Sequence, residues 1–188
     1  DAYLKRPDYS EDAINSLLQK AKLSANSKVC DIGAGVAHLT IMLANKGLEV
    51  IAIEPNQAMR NNGILRTKNY PNITWQEGTG EFTGQGNKSF DLVSFGSSFN
   101  VCNRAKALKE TSRILKDEGW FFCLWNHRDL SDPLQAAIEE IIKRSIDDYG
   151  YGSRREDQTN VISQSNLFQD TSCVEGSIIH SQSIDECT

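Results

Sequence analysis

An acid and two glycines follow a short apolar run near residue 30. The segment reads VCDIGAGVAHLT over residues 29–40, so Asp31 precedes Gly33 and Gly35. Glycines at this spacing let the backbone turn tightly after a strand, and a helix that begins there offers free amide groups to a ligand. A second acid, Glu54, ends the next β-branched run. These four residues predict a loop that holds a nucleotide-containing ligand.

The position of the acids discriminates between ligands. A carboxylate directly before the glycines would repel a pyrophosphate, whereas it suits the ammonium of an amino-acid group, directly or through water. Glu54 can accept hydrogen bonds from both hydroxyls of a ribose. A ligand with a ribose, an amino-acid end and no phosphate is S-adenosylmethionine. The alternatives are a nicotinamide dinucleotide, whose fingerprint carries a third glycine where Ala37 stands, and a plain turn with Glu54 as the anion of a helix N-terminus.

Short apolar runs alternate with amphipathic segments along most of the chain. This alternation predicts an α/β fold, a Rossmann-like doubly wound sheet of parallel strands. Ligands bind such a sheet at the carboxyl ends of its strands, so the loops after the strands should carry the site. Strands are predicted over 27–33, 48–56, 72–78, 89–99, 120–126 and 173–184, helices over 10–23, 38–47, 57–66, 104–119 and 132–146, and a loop over 150–160.

Composition excludes several classes of protein. The 188 residues carry a net charge of −5, which argues against a broad nucleic-acid surface. Five scattered cysteines without a C-x-x-C pair predict reduced thiols, with neither disulfides nor a metal site. No apolar run approaches the ~18 residues of a membrane span. We therefore expect a cytoplasmic protein that acts without metal, membrane or nucleic acid, and its oligomeric state stays open.

Several segments resemble one family, the class I S-adenosylmethionine-dependent methyltransferases. The glycine segment with Glu54 resembles the family's cofactor signature, and EGTGEFTG (77–84) resembles its adenine loop. SFDLVSFGSSFN (89–100) resembles the fourth strand and the loop beneath the methyl group. YLKRPDYS (3–10) is similar to the opening of a small-molecule subgroup with a type 11-like methyltransferase domain, although Asn100 and Val101 stand where that subgroup often has His-Trp.

The resemblance implies a domain organisation. Residues 1–25 would form an N-terminal helical or lid segment, and residues 26–188 the S-adenosylmethionine-binding methyltransferase domain. The sheet would be truncated before its seventh strand, because no candidate follows the predicted sixth. A sixth strand without that neighbour would lack a partner, so we expect the chain to continue or another chain to complete the edge.

The resemblance also implies which residues bind S-adenosylmethionine and its product S-adenosylhomocysteine. Thr79 stands where the family's adenine loop often carries an acid, so adenine recognition would fall to its hydroxyl, to Glu81 and to the Gly80 amide. The predicted cofactor-binding residues are Asp31, Gly33, Ala34, Gly35, Glu54, Pro55, Thr79, Gly80, Glu81, Gly96, Ser97 and Ser98.

The methyl acceptor is expected to be a small molecule bound by the loops after the fourth and fifth strands. Methyl transfer from a sulfonium is an in-line displacement that depends chiefly on positioning. His127 is the candidate general base, and the alternative role is a hydrogen bond that orients its loop. Arg154 and Arg155 could clamp an anionic acceptor or be a solvated pair, and Tyr3, Arg6 and Tyr9 could form a lid or a surface segment. The predicted substrate contacts are Tyr9, Phe99, Asn100, Trp125, Asn126 and Arg128.

Rival functions remain at this point. The sequence is also compatible with a non-catalytic S-adenosylmethionine-binding subunit or sensor. An RNA or protein methyltransferase is disfavoured by the acidic charge, and a nicotinamide oxidoreductase by the position of Asp31. Turnover with an acceptor and binding of NADH are the observations that separate them.

Overall fold

The computed structural model describes residues 2–147, 149–150 and 156–181, and its centre is a parallel sheet of five strands. The strands lie in the order β3-β2-β1-β4-β5, which confirms the predicted doubly wound sheet. Their bounds are Lys28–Ile32 (β1), Glu49–Ile53 (β2), Ile73–Gln76 (β3), Phe90–Gly96 (β4) and Leu115–Leu124 (β5).

Six α-helices and two short 3₁₀ turns complete the described part of the chain. Most helices begin at a side chain that accepts a backbone N–H: Ser10, Asn56, Asn103 and Asp132 do so for α1, α3, α4 and α5. The helices are Glu11–Lys20 (α1), His38–Asn45 (α2), Gln57–Arg66 (α3), Arg104–Ile114 (α4), Pro133–Ser145 (α5) and Gln158–Gln164 (α6); the 3₁₀ turns are Ala2–Lys5 and Phe99–Val101.

Two hydrophobic layers cover the two faces of the sheet. Alternate residues of each strand point to opposite faces, so Val29 and Leu92 face α1 and α2, while Cys30 and Val93 face α4. Strand β4 is buried on both faces, as its nearly continuous apolar sequence predicts. The layers fix the strand ends relative to one another, and so they position the loops that follow.

The fourth helix is shorter than its sequence pattern predicts. It ends at Ile114, and Leu115 already pairs with Phe90 in the sheet. The next pair joins Leu92 to Trp120, so residues 116–119 form an irregular bulge. The burial of Leu115 beside Phe90 overrides the helical periodicity of the charged residues that follow.

The prediction for the C-terminal region is wrong in two places. Residues 158–164 form a helix where the sequence predicts a loop up to residue 160, because Ile162 packs into the core beside α4. Residues 173–181 form no strand, and the remainder of that predicted strand lies outside the described residues. Gly176 instead lies so close to the start of α1 that a Cβ there would overlap the hydroxyl of Ser10. Within the described ranges, β5 pairs with β4 alone.

A search of the described helices for a membrane-spanning segment finds none that is both long and apolar enough.

Candidate active site

The loop between β1 and α2 makes the tight turn that its glycines predict. Gly33 and Gly35 have φ of +68° and +59°, in the left-handed region that glycine favours. A Cβ at Gly33 would overlap the Cβ of Ser98, so the loops after β1 and β4 lie in direct contact. Ala37 also adopts a positive φ, +77°, which is the conformation that a third glycine would occupy without strain.

Glu54 holds this loop from the end of β2. Its side chain is buried, and its Oε2 accepts a hydrogen bond of 2.9 Å from the Gly35 N–H. Its Oε1 accepts one of 2.9 Å from the Asn56 N–H, while the cap of α3 is the Asn56 side chain. A carboxylate offers about four acceptor positions. Two acceptor positions of Glu54 therefore remain for ligand hydroxyls, which is the number that the two hydroxyls of a ribose need.

Asp31 lies beneath the loop and is almost inaccessible to solvent. The Thr40 hydroxyl donates to its Oδ2 at 2.6 Å and the Ser94 hydroxyl to its Oδ1 at 2.9 Å. Burial raises the pKa of Asp31 to about 6, although both hydroxyl donors lower it. A cation bound nearby would stabilise the charged carboxylate. The two carboxylates at the ends of β1 and β2 are thus acceptors of the kind that an ammonium and a ribose require.

The segment 77–84 is folded back on itself next to the start of α4. The Thr79 hydroxyl accepts from the Phe82 N–H at 3.2 Å, and Glu81 Oε1 accepts from the Asn103 N–H at 2.6 Å. Burial raises the pKa of Glu81, but hydrogen bonds led by the one from Asn103 bring it below its ordinary value. Gly80 is buried, and a Cβ there would lie 2.6 Å from Cys102 Sγ. Glu81 is therefore tied to the α4 N-terminus, and Thr79 is exposed.

A buried acid that the sequence analysis missed fixes this segment. Glu110 Oε1 accepts from the Thr83 N–H at 2.9 Å and from the Thr83 hydroxyl at 2.6 Å. Arg113 donates to the same carboxylate. The signal was present, because Glu110 lies on the apolar face of α4 beside Ala107 and Ile114. Ser94, whose hydroxyl donates to Asp31, carries a similar signal, because it is a polar residue in the otherwise apolar core of β4.

The loop after β4 divides its side chains between the core and the mouth of the site. Phe99 is fully buried against Phe95 and Phe121, with ring centres 5.4 and 5.5 Å away, so its ring lies in the core. Ser98 is also buried, and its hydroxyl donates to the Ile32 carbonyl at 2.6 Å. Ser97, with φ of +56°, instead lies at the mouth.

Four of the predicted contacts meet at that mouth. The hydroxyl of Tyr9 lies 3.0 Å from Ser97 Oγ, and burial raises the pKa of Tyr9 to about 12. Trp125 Nε1 donates to Asn100 Oδ1 at 2.9 Å. The mouth is thus lined by neutral polar and aromatic groups drawn from three segments of the chain.

The residues after Asn126 turn away to the surface. His127 is exposed beside a shallow depression that it forms with Arg128, Asp129 and Leu130. Arg128 donates to Glu139, the buried acid of α5, at 3.0 Å. Arg154 and Arg155, the predicted anion clamp, lie outside the described residues.

Comparison with known proteins is consistent with this geometry. A family model described as a methyltransferase domain matches residues 30–123. An uncharacterized methyltransferase of Mycobacterium tuberculosis is 32% identical over 142 residues, which cover 76% of this chain and 56% of the relative. The ubiquinone/menaquinone biosynthesis C-methyltransferase of Zymomonas mobilis is 33% identical over 142 residues, which cover 68% of this chain and 58% of that relative.

The fold has counterparts among solved structures. A putative S-adenosyl-L-methionine-dependent methyltransferase from Methanococcus maripaludis superposes with a TM-score of 0.65 at 21% identity, covering 84% of this chain and 73% of that one. The chain spans somewhat more than half the length of the curated relatives it matches. The family match covers half of the chain and includes Asp31, both glycines and Glu54. The chain belongs to the class I S-adenosylmethionine-dependent methyltransferases.

Proposed function

We propose that this protein transfers a methyl group from S-adenosylmethionine to a small-molecule acceptor. The observation that carries the proposal is the pair of buried acids, Asp31 and Glu54, at the ends of adjacent strands around the glycine loop. When bound, S-adenosylmethionine supplies a methyl group already activated on a sulfonium. The protein is then left chiefly with binding, orientation and the exclusion of water.

Each part of the site has a proposed task. Glu54 would accept the ribose hydroxyls with its two remaining acceptor positions, while its other bonds keep Gly35 and Asn56 in place. The field of Asp31 would favour the ammonium of the methionine end. Thr79 and the Gly80 amide would meet the adenine, and the contact from Glu81 to Asn103 would hold their loop.

A small acceptor agrees with two observations. The Zymomonas relative is named for a step in quinone biosynthesis. The net charge of −5 disfavours a nucleic-acid acceptor. Tyr9, Asn100, Trp125 and Asn126 would contact the acceptor at the mouth. His127 is exposed, and it would serve as a base only for an acceptor that must lose a proton.

Calorimetric titration with S-adenosylhomocysteine tests the proposal, because this product keeps the ribose, adenine and amino-acid groups. We expect the parent protein to bind it and not to bind NADH in a parallel titration. Glu54→Gln should weaken binding about tenfold or more, since one acceptor oxygen is replaced by a donor that faces N–H groups. The matched control is Glu49→Gln, an exposed acid at the opposite end of the same strand.

The outcomes separate the rival functions. Equal affinity in Glu54→Gln and the parent would contradict the assigned cofactor site. NADH binding would favour the oxidoreductase. Binding of S-adenosylhomocysteine without turnover of any small acceptor would favour the non-catalytic subunit or sensor.

A further inference from the structure

The segment before α1 crosses the carboxyl edge of the sheet. Residues 2–9, here called the N-terminal strap, are anchored to the loops after three strands. Tyr9 contacts Ser97 after β4, and Asn126 after β5 donates to the Asp8 carbonyl at 3.1 Å. The third anchor is His38, the first residue of α2, which follows the glycine loop. The strap therefore lies over the loops that carry the proposed cofactor and acceptor sites.

The two hydrogen bonds of His38 require a particular protonation state of its ring. Its Nδ1 lies 2.7 Å from Asp8 Oδ1, and its Nε2 lies 2.9 Å from the Tyr3 carbonyl oxygen. A carbonyl oxygen and an ionised carboxylate can only accept hydrogen bonds, whereas a neutral imidazole has a single N–H to donate. Both bonds can form together only when the ring carries a proton on each nitrogen.

We propose that His38 is a proton-dependent clasp that holds the N-terminal strap closed over the cofactor cleft. Both bonds form while the ring is doubly protonated. As the pH rises and one ring proton leaves, the remaining N–H stays with the Asp8 carboxylate and the bond to the Tyr3 carbonyl is lost. The strap then keeps its anchors at Ser97 and Asn126 and opens at the Tyr3 end. That end faces the glycine loop, where the methionine end of the cofactor would enter.

Charged side chains of the strap and of α3 lie near the clasp. Asp8, which is 63% exposed, is the acid in contact with the ring. Arg6 stacks over the Tyr3 ring at 4.0 Å, and Arg66 of α3 donates to the Val36 carbonyl. The first turn of α2 carries no acid. The other anchors do not titrate with His38, because burial raises the pKa of Tyr9 to about 12.

Tryptic cleavage in the absence of cofactor tests the clasp. Lys5 is the cleavable position of the strap, because Arg6 is followed by Pro7. Between about pH 5.5 and 8.5, where histidines change charge, cleavage of the parent at Lys5 should rise relative to His38→Gln at the same pH. At the acidic end, His38→Gln should be cut about 1.4-fold to fivefold faster than the parent, the range that a partly exposed ion pair gives.

Two further variants and a spectrum keep the test specific. His180→Gln removes an exposed histidine of the C-terminal segment and should behave as the parent. Asp8→Asn, at a surface position, should remove the pH dependence, because an amide can donate to an unprotonated Nδ1 as well as accept from a protonated one. In protein labelled with ¹⁵N-histidine, which holds three histidines, the loss of the second His38 ring proton should share its midpoint with the rise in cleavage. Different midpoints, or equal cleavage of all variants, would overturn the clasp.

The proposal that the strap covers the cofactor cleft rests on the proposed function, and it has its own test. Saturating S-adenosylhomocysteine should slow cleavage at Lys5 in the parent, since a filled cleft holds the strap closed. If calorimetry shows binding but cleavage is unchanged, the strap does not cover the cofactor. If calorimetry shows no binding, the proposed function fails, whereas the cofactor-free experiments still decide on the clasp.

Discussion

Asp31 is a carboxylate whose charge is costly until a cation joins it. Its pKa of about 6 in the fold, raised by burial, compares with about 4 in an unfolded chain. Between pH ~4 and ~6 the Asp31 carboxyl is protonated in the folded protein and ionised in the unfolded chain. The stability of the fold therefore falls as the pH rises through this range, and it stays at the lower value above about pH 6. We therefore expect Asp31→Asn to stabilise the cofactor-free protein at pH ~7.5 by about 1–3 kcal/mol, and to weaken S-adenosylhomocysteine binding.

Urea unfolding at pH ~7.5 and ~5, paired with calorimetry, measures both effects. The gain in stability should shrink at the lower pH, where Asp31 itself is protonated in the fold. Glu49→Gln, at an exposed position of the neighbouring strand, should change neither quantity. A less stable Asp31→Asn at both pH values would show that the two hydroxyl contacts to Asp31 outweigh the cost of its charge.

Residue types and spacing predict only part of the site. Asp31, the glycines and Glu54 are recognisable because one loop and one strand end bring them together. Ser94 and Glu110 are not, because each acquires a partner from an element distant in sequence. Their common signal is a polar residue on an apolar face.

At the scale of elements, Glu110 joins α4 to the segment 77–84, which Glu81 also ties to the start of α4. Burial raises the pKa of Glu110, but hydrogen bonds from Arg113 and Thr83 outweigh it and bring the pKa to about 2. Because this pKa lies below that of an unfolded glutamate, the stabilisation is full above about pH 4.5 and is lost as the pH falls towards 2. Glu110→Gln should destabilise the protein by about 1–2 kcal/mol at neutral pH, and it should also weaken S-adenosylhomocysteine binding.

Chemical denaturation at pH ~7 and ~3 measures the difference in stability between Glu110→Gln and the parent. That difference should be smaller at the lower pH. Glu118→Gln, in the exposed bulge 116–119, is the matched control and should leave stability unchanged. Unchanged cofactor affinity in Glu110→Gln would mean that residues 77–84 do not contact the cofactor.

The elements themselves differ in how far the sequence determines them. Strands β1 to β4 and their helices follow from local apolar patterns, and the caps mark several starts. The end of α4 does not follow from the local pattern. That pattern continues past Ile114, but Leu115 pairs with Phe90 in the sheet. Residues 173–181 resemble a strand in sequence, yet a strand requires a neighbour in the sheet, and Gly176 among them lies against the start of α1 instead.

For the molecule as a whole, ligand binding and stability are linked. A ligand that binds only the folded state at a hundredfold excess over its Kd adds about 2.7 kcal/mol. For a chain of 188 residues this predicts a rise in Tm of about 5–11 °C with S-adenosylhomocysteine. Scanning calorimetry should show no rise with NADH at the same concentration. Equal shifts would indicate a site that recognises adenine and ribose without the amino-acid group.

The C-terminal segment that runs past α1 offers a means of watching the strap. Burial raises the pKa of the Cys30, Cys102 and Cys123 thiols, which slows their alkylation, whereas Cys173 is exposed. With Cys187 replaced by serine, a maleimide dye would attach preferentially at Cys173. Gly176, three residues on, touches Ser10 at the junction of strap and helix. A dye at Cys173 would thus report strap opening in real time after a pH jump in a stopped-flow instrument.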